Sequence, residues 1–159
     1  MKRVVYGILV FLWLGLIFYF SAQTGEVSKK LTTTSISAVL STTEKKEDKI
    51  SSTQPEKEVK IIDILIKPVR KSAHFFEYMI LGILVFLFLK EWNISFKKLF
   101  WISLGFCIFY ACTDEIHQLF VEGRTARLFD VFVDSMGASL GIGILYCIKR
   151  KKVKNENRQ

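Results

Sequence analysis

The sequence predicts an all-α integral membrane protein, an antiparallel bundle of four transmembrane helices with both termini in the cytoplasm. Three observations predict it. Of the 159 residues, 50% are hydrophobic and 14% aromatic, more apolar than a soluble domain of this size. The apolar residues gather into four long runs set apart by polar stretches. With the N-terminus inside, four crossings leave 11 cations and two anions in the cytoplasm, against 12 cations and 13 anions outside. Every short loop then obeys the positive-inside rule, so the net charge of +8 reflects orientation and not nucleic acid binding.

The first element follows Lys2 and Arg3, where Val4 to Phe20 runs without charge for 17 residues. At about 1.5 Å per residue this just crosses a hydrocarbon core of about 30 Å. Small residues Ser21 and Ala22 would suit signal-peptide cleavage, but bulky Phe20, Trp13 and Tyr19 do not, which favours an uncleaved anchor over residues 1–23. Residues 24–60 then change character, with Ser41 to Ser52 reading STTEKKEDKISS. Such a composition buries too little apolar surface to offset ordering entropy, and predicts a flexible polar extracytoplasmic loop.

The membrane core is expected over residues 61–148. Val59, Ile61, Ile62, Ile64, Leu65 and Ile66, broken by Asp63 and stopped near Pro68, suggest a short interfacial helix. A second membrane helix is expected from Val69 to Leu89, a third from about Leu99 to Phe120, and a fourth from about Leu128 to Ile148. Gly123 and Arg124 mark the turn between the last two. Residues 149–159 form a basic cytoplasmic tail. Cys107, Cys112 and Cys147 lie in or beside apolar segments without metal-type spacing, which reads as free thiols.

The polar start of the second helix, the polar end of the third and the polar start of the fourth all fall on the outer side. That convergence marks a candidate site, because ionisable groups at a hydrocarbon boundary are costly unless paired, hydrated or used. His74, Glu77 and Tyr78 share a helical face at i, i+3 and i+4, with Arg70 and Lys71 one turn earlier. They are either an interfacial end or an inward set for proton transfer and substrate binding, in which His74 is the best-suited general base. Arg70 and Lys71 are either interfacial anchors or cations for an anionic headgroup.

Asp114 and Glu115 are adjacent and point about 100° apart, so they cannot form a same-face pair. Asp114 shares its face with Gln118 and is expected inward, whereas Glu115 lies nearer Leu119 and Glu122, and His117 reads as interfacial. Asp130, Asp134, Gly137 and Gly141 form one i, i+4 stripe, the expected packing seam of the fourth helix. Its aspartates either pair with Arg124 or Arg127 as a clamp or belong to the site. Arg124 could instead meet a phosphate with bidentate geometry. No metal motif, Gly-rich phosphate loop or nucleophile elbow is present, and no cofactor is assigned.

At RKSAHFFEY (Arg70 to Tyr78), YACTDEIHQLFVEGR (Tyr110 to Arg124) and DVFVDSMGASLG (Asp130 to Gly141) the chain resembles the VanZ-like family of small bacterial membrane proteins. The FSAQ stretch at Phe20 to Gln23 resembles that family's first-helix ending, while residues 24–60 are longer than its pattern requires. The resemblance implies a cell-envelope setting, in a family named for a member associated with resistance to the glycopeptide teicoplanin. It singles out Arg70, Lys71, His74, Glu77, Tyr78, Asp114, Glu115, Gln118, Phe120, Arg124, Asp130, Asp134 and Gly137. It supplies no reaction.

The functional expectation is an outward-facing polar pocket for a membrane lipid or lipid-linked anionic envelope precursor. Arg70, Lys71 and Arg124 would hold the anion, while His74, Glu77, Asp114 and Asp134 would move protons or fix the pocket. The competing expectation is a non-enzymatic scaffold or accessory subunit, whose charges form a structural clamp and whose partner is another membrane protein. Proton-coupled transport is weaker, since the cytoplasmic halves of the helices are almost wholly apolar.

Overall fold

The computed structural model describes residues 1–23, 30, 33–34, 55–124 and 126–156, with backbone alone over 55–67 and 152–156. Four helices make up the described fold: α1 (Lys2–Ser21), α2 (Pro55–Lys90), α3 (Phe96–Gln118) and α4 (Leu128–Glu156). Each contains a stretch long and apolar enough to cross a membrane, Pro68–Lys90 within α2 and Leu128–Lys151 within α4. Successive helices run antiparallel. At one end Arg3 lies over the Trp92 ring, and Tyr146 meets Phe96 and Phe100. At the other, Lys71 pairs with Asp130 and Arg124 reaches the carbonyls of Phe20 and Gln23.

Two boundaries differ from the sequence expectation. Residues 55–60 belong to α2, and the helix continues unbroken through Pro68, so the expected interfacial segment is the start of α2 and not a helix of its own. Proline bends a helix and removes one backbone bond, but it ends the helix only when other breakers assist, and none flanks it here. Pro55 at the first helical position is itself a start signal, outweighed in the sequence by the polar residues that follow it. At the C-terminal side, α4 runs on through the basic residues to Glu156. Lys and Arg are good helix formers, and no Gly or Pro interrupts them. Most of the expected polar loop, residues 24–54, lies outside the described residues apart from three positions.

Helix packing is closest between α2 and α4. A Cβ on Gly137 would collide with the Phe75 carbonyl oxygen, and one on Gly141 with that of Met79. From the other side, a Cβ on Gly82 would lie 2.8 Å from the Ala138 carbonyl oxygen. Lipid tails are as apolar as leucine, so helices in a membrane gain little by merely burying apolar surface, and close backbone approach supplies van der Waals attraction instead. The glycine stripe of α4 is thus the seam that its spacing predicts.

The interior adds one cluster around Ile17, Leu81, Val85, Cys107 and Ala138, and a second around Phe86, Leu99 and Ile142. α1 is held differently, by polar hooks: the Trp13 indole donates to the Glu77 carbonyl at 2.9 Å, and the Tyr110 hydroxyl donates to that of Leu14 at 2.8 Å. Cys107, Cys112 and Cys147 are free thiols.

Candidate functional site

At the end of the bundle where α1 finishes, all four helices turn polar side chains inward. α2 contributes Arg70, His74, Glu77 and Tyr78 from successive turns, and Tyr78 is wholly buried. α3 contributes Asp114, Glu115 and Gln118, which are 4%, 7% and 6% exposed. α4 adds Asp134 at 2% exposed, with Asp130 half-buried one turn nearer the rim. Ser21, the last residue of α1, is buried against the Asp114 carboxyl.

Local contacts fix several of these groups. Gln118 Nε2 donates to Asp114 Oδ2 at 3.1 Å, so the expected same-face pair forms and is buried. His74 Nδ1 lies 3.3 Å from Glu77 Oε2, the i, i+3 contact of the α2 face. The charges of Asp134, Glu77 and Asp114 all act on the His74 imidazole, so the carboxylates of α3 and α4 face the polar stretch of α2. Tyr78 feels Asp114 and Asp134 in the same way, and its ring lies 6.3 Å from that of Tyr110.

Two expectations are corrected. Glu115 is not turned away: it is buried, and its Oε2 accepts the Arg127 backbone N–H at 2.7 Å, holding the turn into α4. Asp130 pairs with neither Arg124 nor Arg127. Its partner is Lys71 across the α2–α4 seam, whose ammonium also lies over the Phe129 ring.

Arg124 is in large part committed to the protein. Nε donates to the Gln23 carbonyl at 3.1 Å and Nη2 to that of Phe20 at 3.0 Å, which supplies acceptor-seeking donors to the unsatisfied end of α1. Burial lowers the pKa of its guanidinium from the ordinary value, and the neighbouring positive charge of Arg70 acts in the same direction. Of the expected anion holders, Arg70 is therefore the cation with free capacity: its Nε is buried without a hydrogen-bond partner among the described residues.

His117 stacks on Phe18, with ring centroids 4.4 Å apart, and its Nε2 is buried without a hydrogen-bond partner among the described residues. Phe120, which the resemblance singled out, is exposed beyond the end of α3. Ser21, Trp13 and Tyr110 are contributions that side-chain chemistry alone does not select. Tyr110 stands one turn before Asp114, and Ser21 is the small polar residue that ends the first apolar run, so both carried a positional signal.

The most informative property of the site is what stays unpaired. Arg70 Nε, Tyr78 OH, Asp114 Oδ1, Asp134 Oδ1 and Ser21 Oγ are buried with no protein hydrogen-bond partner among the described residues, as are His117 Nε2 and Ser103 Oγ, while Glu77 Oε2 has the His74 Nδ1 contact. Buried polar atoms are normally satisfied, because leaving one unmade costs about 1–3 kcal/mol. Such atoms from all four helices gather at one end of the bundle.

The model of one protein family, described as VanZ/LLP1, matches residues 6–149. No curated protein and no solved structure matches the chain.

Proposed function

Because the chain belongs to the VanZ/LLP1 family, we propose that it serves the bacterial cell envelope as a multi-pass protein of the cytoplasmic membrane, with its polar pocket facing outward. In this reading the pocket handles a membrane lipid or a lipid-linked anionic precursor, and contributes to glycopeptide (teicoplanin) resistance. The observation that carries it is the group of unpartnered buried polar atoms drawn from all four helices. Arg70 supplies the free guanidinium for the anionic group, with Arg124, whose Nη1 donates to Gln118 Oε1 at 3.5 Å, as a neighbouring positive charge. The His74–Glu77 pair is placed to take and return a proton, and Asp114 and Asp134 set the charge around it.

The outward orientation rests on the Lys and Arg of the short loops. In a chain whose own cysteines are replaced, Ser52→Cys is expected to react with an impermeant thiol reagent on intact cells, and Lys97→Cys is not. The reverse pattern would turn the pocket inward. Arg70→Gln, His74→Ala and Asp134→Asn, at matched protein levels, are each expected to abolish an envelope phenotype such as glycopeptide susceptibility. Function retained in all three would overturn the reading.

A second reading has support of its own. The Lys71–Asp130 pair and the hold of Arg124 on α1 are structural clamps, as a scaffold or accessory subunit would need.

A further inference from the structure

At the polar end five carboxyls, Glu77, Asp114, Glu115, Asp130 and Asp134, stand against the cations Arg70, Lys71 and Arg124. Lys71 and Asp130 neutralise one another at the rim, and the Glu115 carboxylate is engaged by the Arg127 backbone. That leaves Arg70 and Arg124 as cations, and Glu77, Asp114 and Asp134 acting on the His74 imidazole. Three carboxyls against one imidazole in a water-poor interior are costly unless something positive or proton-donating joins them. Tyr78, Asp114 and Asp134 are mutual electrostatic neighbours, and each keeps one buried oxygen without a hydrogen-bond donor.

We infer that the pocket selects a headgroup joining a phosphate to a primary ammonium, with the phosphate at Arg70 and the ammonium among Tyr78, Asp114 and Asp134. This rests on the reading of the pocket as a site for an anionic lipid group, and names the other half of that group. A primary ammonium carries three N–H donors and one positive charge, matching three orphan acceptors and an excess of carboxyls. A quaternary ammonium has the charge without N–H donors. A hydroxylated headgroup has donors without the charge. The phosphate meets the guanidinium whose Nε is unpartnered, a pairing that Arg forms better than Lys.

Binding to the purified full-length chain in detergent, measured by native mass spectrometry, separates these cases. The probes are dioleoyl phosphatidylethanolamine, phosphatidylglycerol and phosphatidylcholine, with soluble phosphoethanolamine as a fourth. The ethanolamine lipid is expected to bind at least about tenfold tighter than the other two, the scale of a charge-assisted hydrogen bond. Tyr78→Phe, which removes one oxygen, and Asp134→Asn should each erase most of that advantage in protein that melts normally. Arg70→Gln should weaken all three lipids alike.

Equal binding of the ethanolamine and glycerol lipids, still dependent on Arg70, overturns the ammonium site and leaves the anion pocket standing. An ethanolamine preference untouched by both Tyr78→Phe and Asp134→Asn also overturns it. Lipid binding indifferent to Arg70→Gln overturns the anion pocket as well. Phosphoethanolamine bound as tightly as its lipid, with the same dependence on Tyr78 and Asp134, supports the same chemistry from a soluble source.

Discussion

The two ends of the bundle solve the same packing problem with opposite materials. At the end holding both chain termini, Phe86, Leu99 and Ile142 fill the interior, and Phe96, Phe100 and Tyr146 close it edge to face. At the other, Tyr78, Asp114, Glu115, Gln118 and Asp134 occupy equivalent interior positions. The apolar end can be assembled from van der Waals contact alone. The polar end loses stability with every unpartnered oxygen and must be held shut by something else. The glycine seam between α2 and α4, the Lys71–Asp130 pair and the grip of Arg124 on α1 are what hold it. The contrast is the observation from which the proposed site at the polar end starts.

The largest expected effect comes from the seam. Gly137→Ala places a methyl group against the backbone of Phe75, which cannot swing aside as a side chain would. The expected cost is about 3 kcal/mol or more, at the upper end for overpacking, seen as loss of folded protein in a detergent melt. Gly143→Ala, with nothing within 4 Å of the new methyl, should leave the melt unchanged. If both variants behave alike, the seam does not hold the polar end together.

Arg124→Ala comes next, because it strips two donors from the end of α1 while leaving α2, α3 and α4 packed. A loss of about 1–3 kcal/mol is expected. It should show as faster disulfide crosslinking or thiol labelling at the α1 end, with the melt of the remaining helices little changed. A melt that falls as far as that of Gly137→Ala would place Arg124 in the shared core instead.

The smallest effect is expected at the rim pair, which is about a third exposed on the lysine side and a quarter on the aspartate side. Screening limits such a pair to about 1 kcal/mol or less. Lys71→Asp alone should weaken the fold slightly, and the double swap Lys71→Asp with Asp130→Lys should restore it. The swap also separates the two functional readings. Restored stability together with restored envelope function fits a clamp, whereas restored stability without function places Lys71 among the ligand-holding groups.

Much of this was legible in the chain. The four apolar runs set the number of crossings, and the i, i+4 recurrence of Asp130, Asp134, Gly137 and Gly141 set the inner face of α4. The i, i+4 spacing of Asp114 and Gln118 likewise predicted a pair that forms. These features are local, fixed by helical periodicity and by the cost of polar groups in hydrocarbon, and a single sequence expresses both.

Partners across helices were not legible. Periodicity gives the face of a residue but not its depth or the rotation of its neighbour, so Lys71, and not Arg124 or Arg127, became the partner of Asp130. Glu115 was misjudged for the same reason. Its face looks outward on an isolated helix, yet the carboxylate is buried and accepts the Arg127 N–H, a partner 12 residues on that helical periodicity does not reveal. Proline rules suggested a break at Pro68, yet the backbone continued where no second breaker stood beside it.

The sequence by itself thus determined a four-span helical membrane protein with its polar residues gathered at one end, because span length and hydropathy act on each segment separately. Only the tertiary structure decided which of those residues neutralise one another and which remain unpartnered. That outcome depends on close approach between helices far apart in the chain, and the unpartnered remainder, Arg70, Tyr78, Asp114 and Asp134, is what the proposed site is built on.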